Sequence, residues 1–164
     1  MTLQMRSIKF DGNTPAATGT IYTREAGESI VQQIKERMVK SFMPIQESLE
    51  FDKVNETRPV ALMNHMIGKV TGSTLSADGF LELEFEWIKR PDKKQIQDML
   101  ETMFRDAPDK VDLCPMLQVD KRNVKVTFNI LEWFFFYMVP DKAAEPGDVL
   151  GALGVQRDKE VDKA

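Results

Sequence analysis

The chain has 164 residues, 42% of them hydrophobic and 29% charged, and a formal net charge of −4. That length suits one domain with its own core, and the mild acidity excludes broad phosphate-directed nucleic-acid binding, which needs clustered Lys and Arg. One Cys excludes an internal disulfide, and a single His beside it leaves too few soft ligands for a structural zinc site, so no metal and no cofactor is expected.

Residues 3–10 and 18–23 read as short strands around a turn-rich stretch at 11–17. A helix over about 28–43 follows, because Ile30, Val31, Ile34, Met38 and Phe42 recur at spacings of three and four. Gly27 stands before it and Pro44 is expected to stop it. Residues 45–58 read as a polar loop. A strand to about Met63, a break at Asn64-His65 and a second strand from Ile67 come next. Ser76-Ala77-Asp78-Gly79 signals a hairpin turn. Leu81, Leu83, Phe85 and Trp87 then alternate with Glu82, Glu84 and Glu86, the pattern of a strand with one buried and one wet face.

A second helix is predicted over 92–106, with Ile96, Met99, Leu100, Met103 and Phe104 on one stripe and Pro108 at its end. Val111 to Val119 reads as a strand, and 120–123 as a turn. Val124 to Val139 is long for one strand and is expected to bend near Asn129. Its Trp133–Tyr137 run is apolar on both faces, which marks a central strand. A short helix from Pro146 to Leu153 and a charged tail would close the chain. The order β β α β β β α β β β predicts an α+β domain over 1–145, built on a mostly antiparallel sheet or small barrel with two amphipathic helices, followed by the tail at 146–164.

Residues 1–10 hold no apolar targeting core, and the run 133–139 is far shorter than the roughly 18 residues a membrane span needs. A soluble, cytoplasmic protein with no membrane partner is the expectation.

Three residues could carry chemistry. His65, the only histidine, is either a polar residue bonded at a strand end or a general base. Cys114, in Asp112-Leu113-Cys114-Pro115, is either a small buried apolar residue or a thiol nucleophile. Glu132 interrupts the apolar run 130–137. It either points outward or orients a histidine. Glu82, Glu84 and Glu86 share one strand face but do not converge, so a solvated face is expected there.

Residues 18–145 resemble the prohead maturation proteases of tailed bacteriophages, which share a fold with the herpesvirus capsid-assembly protease. Three segments carry the resemblance. They are Leu62-Met63-Asn64-His65 with Ile67-Gly68-Lys69-Val70, the hairpin from Ser76 to Leu83 with the helix after it, and Leu131 to Pro140 followed by Ala143-Ala144-Glu145-Pro146. The resemblance implies a catalytic His at His65, an acid at Glu132 and a Ser nucleophile between the second helix and the closing strand. By position that nucleophile falls on Cys114, and no Ser follows Ser76. A thiol could attack in place of the hydroxyl. Pro115 counts against it, because it removes a backbone N–H from the oxyanion side.

The resemblance therefore implies a tailed-phage head morphogenesis protein. One form is a capsid-associated structural, minor capsid or decoration subunit with a degenerate protease-like fold, partnered by the major capsid protein, scaffold or further copies of itself. The other is an active endopeptidase using Cys114, His65 and Glu132. Either would be found in the phage head, or in the host cytoplasm during assembly. A small phage-encoded binding or inhibitor protein is the third reading.

Overall fold

The alternating Leu81–Trp87 segment forms a strand as its pattern predicts, and it lies inside a curled, mostly antiparallel sheet, a half-barrel with two α-helices among the described residues. The computed structural model describes residues 1–16, 18–47, 64–122 and 125–139, without the side chains of 120–122 and 128. Among these the elements are β1 (Thr2–Met5), β2 (Ile21–Tyr22), α1 (Arg24–Lys40), β3 (Met43–Gln46), β4 (Met66–Leu75), β5 (Leu81–Trp87), α2 (Lys94–Asp106), β6 (Val111–Arg122) and β7 (Lys125–Met138). One-turn 3₁₀ segments, Pro91–Lys93 and Pro108–Lys110, flank α2.

Local chemistry accounts for the element ends. Thr23 caps α1: its Oγ1 accepts from Ala26 N at 3.1 Å and donates to Val126 O at 2.8 Å, which ties the helix start to β7. The β4–β5 turn is closed by Ser76, whose N–H donates to Phe80 O and whose Oγ accepts from Phe80 N. Gly79 in that turn has φ +94, and a Cβ there would lie 2.8 Å from Phe10 O, so only glycine fits.

The sheet runs β1-β5-β4-β3-β7, and β6 pairs antiparallel with β7 over its whole length. Two short parallel pairings share the other edge of β7. β2 meets it at Lys125–Val126 and β3 at Phe134–Phe135. α1 connects those two strands and lies against β7 and β4. Between them, α1 side chains serve the edge. Gln33 bonds Asn129 O and Leu131 N, and Arg37 Nη2 donates to Leu131 O at 3.0 Å. The inner face gathers Phe85, Trp87, Phe104 and Phe136, with ring centroids 5.6–5.9 Å apart, over Ile30, Ile34, Ile45 and Phe134.

The two ends of the sheet approach each other. Just after β1, Arg6 N donates to Asp112 Oδ2 at 2.9 Å, and Ser7 Oγ donates to Leu113 O at 3.3 Å. Side chains thus join the β1 end to β6 where backbone pairing stops.

Several boundaries differ from the sequence expectation. α1 begins at Arg24, so Gly27 is inside it and buried, not ahead of it. The helix ends at Lys40, with Ser41 N bonded to Arg37 O, and Pro44 lies in β3. Pro44 disfavours helical backbone at Met43, so it opens the strand instead of closing the helix. β6 continues to Arg122 through the expected turn. β7 is one strand, kinked by bulges on either side of Asn129. The expected strand at 58–63 and the helix and tail after residue 140 lie outside the described residues.

Candidate functional site

β3 and β4 are antiparallel neighbours, and their pairing brings Glu47 beside His65 at one end of the sheet. Glu47 N donates to His65 O at 2.9 Å, and Glu47 Oε1 lies 3.1 Å from His65 Nδ1. Lys93 Nζ donates to the same Oε1 at 2.9 Å. Glu47 is only 7% exposed, and its Oε2 has no hydrogen-bond partner among the described residues. A carboxylate this buried needs compensation, and Lys93 supplies the charge.

Arg90 fixes the backbone around the histidine. Its Nη1 donates to Met66 O at 3.1 Å and its Nη2 to Asn64 O at 3.3 Å. The bond to Asp92 pushes the Arg90 guanidinium further above its ordinary value, aided by the charges of Asp92 and Glu47, so Arg90 stays charged. A carboxylate oxygen only accepts, so Nδ1 is the nitrogen whose hydrogen is directed at Glu47. An acid holding one imidazole nitrogen is the arrangement that orients a general base. Here that acid also holds a lysine.

Cys114 lies elsewhere. It pairs with Phe135 on β7, Phe135 pairs with Gln46 on β3, and Gln46 pairs with Met66 on β4. The histidine's strand and the cysteine's strand are thus three strand spacings apart, roughly 14 Å between Cα atoms. That is beyond the roughly 3 Å contact a nucleophile and its base need. Cys114 is fully buried, its Sγ lies 3.7 Å from Pro115 O, and its neighbours on the same face of β6–β7 include Asp112 and Tyr137.

Glu132 lies elsewhere again. It is the extra residue of a bulge, between the pairs Met116–Trp133 and Leu117–Leu131, and its carbonyl accepts from Arg37 Nη1 at 3.4 Å. The sheet therefore does not gather His65, Cys114 and Glu132 into one hydrogen-bonded site. An acid does hold His65, but it is Glu47.

A second polar group is built on Asp112, which is 1% exposed. Its Oδ1 accepts from Leu113 N at 2.8 Å, and its Oδ2 from Arg6 N and from Tyr137 Oη at 3.1 Å. Burial pushes its carboxyl up to about 6, against the pull of those three donors. Burial, with the charge of Asp112, also pushes the Tyr137 hydroxyl well up, so it stays protonated.

Sequence reasoning missed Glu47, Lys93, Asp112 and Tyr137 as site residues. Glu47 lies in a polar stretch whose pattern is that of a loop, and in the sequence Asp112 stands out only as a neighbour of Cys114. The glutamate comb keeps a wet face: Glu84 and Glu86 are exposed, and Lys69 pairs with Glu86 at 3.2 Å.

Against known protein families, curated proteins and solved structures, the chain has no match.

Proposed function

We propose that this chain is a tailed-phage head morphogenesis protein: a capsid-associated structural, minor capsid or decoration subunit with a prohead-protease-like fold that does not cut peptide bonds. The supporting observation is the separation of Cys114 from His65 by two intervening strands. Burial of the thiol and the proline after it agree with that reading. Its partners are the major capsid protein or scaffold.

Mass spectrometry of purified mature heads tests it. The full-length chain is expected at a fixed ratio to the major capsid protein, and its absence from heads overturns the reading.

One observation favours a second reading, an endopeptidase: the Glu47 carboxylate on His65 Nδ1. Co-expression with capsid and scaffold proteins separates the two. Cleavage that disappears in both His65→Ala and Glu47→Gln establishes the enzyme and removes the structural reading. No cleavage by the wild type removes the enzyme.

A further inference from the structure

Among the described residues, backbone pairing does not close the half-barrel at the seam between the β1 end and β6. At the β1 end, Arg6 and Ser7 reach β6 through Arg6 N to Asp112 and Ser7 Oγ to Leu113 O, and Arg6 Nη2 reaches Asp109 O of the preceding 3₁₀ turn at 3.4 Å. Asp112 is the centre of this seam. One of its oxygens holds the Arg6 segment and Tyr137 of β7, and the other holds the N–H of Leu113 on the open edge of β6.

We propose that Asp112 is a proton-operated clasp: with its proton it holds residues 6–7 against β6, and loss of that proton loosens them. This does not depend on the function proposed above.

The surroundings decide the direction. Among the described residues, the groups facing Asp112 are Arg6 from the β1 end, Tyr137 from β7 and Cys114 from its own strand, with Asp109 of the preceding 3₁₀ turn beyond Arg6. No ammonium or guanidinium hydrogen-bonds the carboxyl among those residues, and the Arg6 guanidinium is turned to the Asp109 carbonyl. An ionised Asp112 is therefore a buried negative charge held mainly by dipoles, with the Arg6 charge the smallest of the favourable contributions. A protonated one keeps the Arg6 and Leu113 N–H bonds and donates its own proton to Tyr137 Oη, whose hydroxyl rotates to receive it.

The sign follows by linkage. In the closed seam the carboxyl titrates at about 6, and once exposed it returns to its ordinary 3.8. Between these values the closed form carries the proton and the open form does not. Closure is thus favoured in full below about pH 4, weakens as pH rises to about 6, and is constant above that. The opening equilibrium rises roughly a hundredfold across the window.

Amide hydrogen exchange on the intact chain, corrected for the intrinsic rate at each pH, tests the clasp. Protection of the Arg6 amide is expected to fall roughly a hundredfold between pH 4 and pH 8, in step with the titration of the Asp112 carboxyl carbon by NMR. Helix α1 amides should stay flat, and Asp112→Asn should show no step at Arg6. Constant Arg6 protection across the range overturns the proposal. A step that persists in Asp112→Asn also overturns it, as does one shared equally by α1, which marks global unfolding. Should the asparagine variant not fold, the wild type decides alone: the exchange step and the carbon titration must coincide.

Discussion

The side chain of Gln33 pairs with the backbone around Leu131 as a neighbouring strand would. Its Nε2 donates to Asn129 O at 2.8 Å and its Oε1 accepts from Leu131 N at 2.9 Å, the two-bond pattern of a parallel bridge centred on Ile130. One carboxamide on a helix thereby fills the edge of β7 between β2 and β3. Gln33→Leu leaves a carbonyl and an N–H unpaired in a half-buried place. Urea unfolding should show a loss of about 1–3 kcal/mol. Gln33→Glu keeps the acceptor but sets a second oxygen against Asn129 O, so it should be destabilising at neutral pH and recover as the pH is lowered.

Gly27→Ala opposes two effects. Alanine favours a helix by about 1 kcal/mol over glycine. Yet the new Cβ would lie 2.8 Å from Phe10 Cβ and Cγ and 3.0 Å from Leu75 Cδ2. Phe10 is fully buried beside Tyr22 and cannot withdraw. Overpacking wins, and thermal unfolding should report a net loss of about 1–2 kcal/mol.

Asn129 is fully buried, and neither polar atom of its side chain finds a partner among the described residues. Asn129→Leu has nearly the same shape and removes both orphaned groups, while the backbone carbonyl stays on Gln33. A gain of about 1–2 kcal/mol in urea unfolding is expected. A loss would show that the amide has a partner in solution.

Cys114 offers a direct check on chemistry. A buried thiol flanked by Phe135 and Pro115 should resist alkylation in the native chain, with labelling only as fast as the protein unfolds. Rapid labelling by iodoacetamide under native conditions would contradict the burial and reopen the question of a nucleophile.

Much of the fold was legible because it rests on short-range pattern. Strict alternation marks β5, the Ser76–Gly79 turn marks the β4–β5 hairpin, and the stripe of Ile96, Leu100, Met103 and Phe104 marks α2. The Trp133–Tyr137 run, apolar on both faces, marks β7 as central. β3 was not legible. Four residues with a proline among them look like a helix stop, and only long-range pairing with β4 and β7 makes them a strand. The site fared the same way. His65 announces itself as the sole histidine, but its acid is chosen by strand order. Because β3 lies between β4 and β7, Glu47 reaches the imidazole and Glu132 does not.

β2, β3 and β6 all pair with β7, the last strand of the described chain. During synthesis this sets a waiting time. β4 and β5 can form their hairpin as they emerge, with β1 alongside, but Ile45 has no parallel neighbour until Phe134 leaves the ribosome. Until then Met43, Ile45 and the apolar side of α1 have β4 beside them but lack their β7 cover. Pairings so distant in sequence place folding at the slow end for a domain of this size. A chaperone holding the nascent chain has the most to protect at β3, and a truncation before Trp133 should yield an aggregating product.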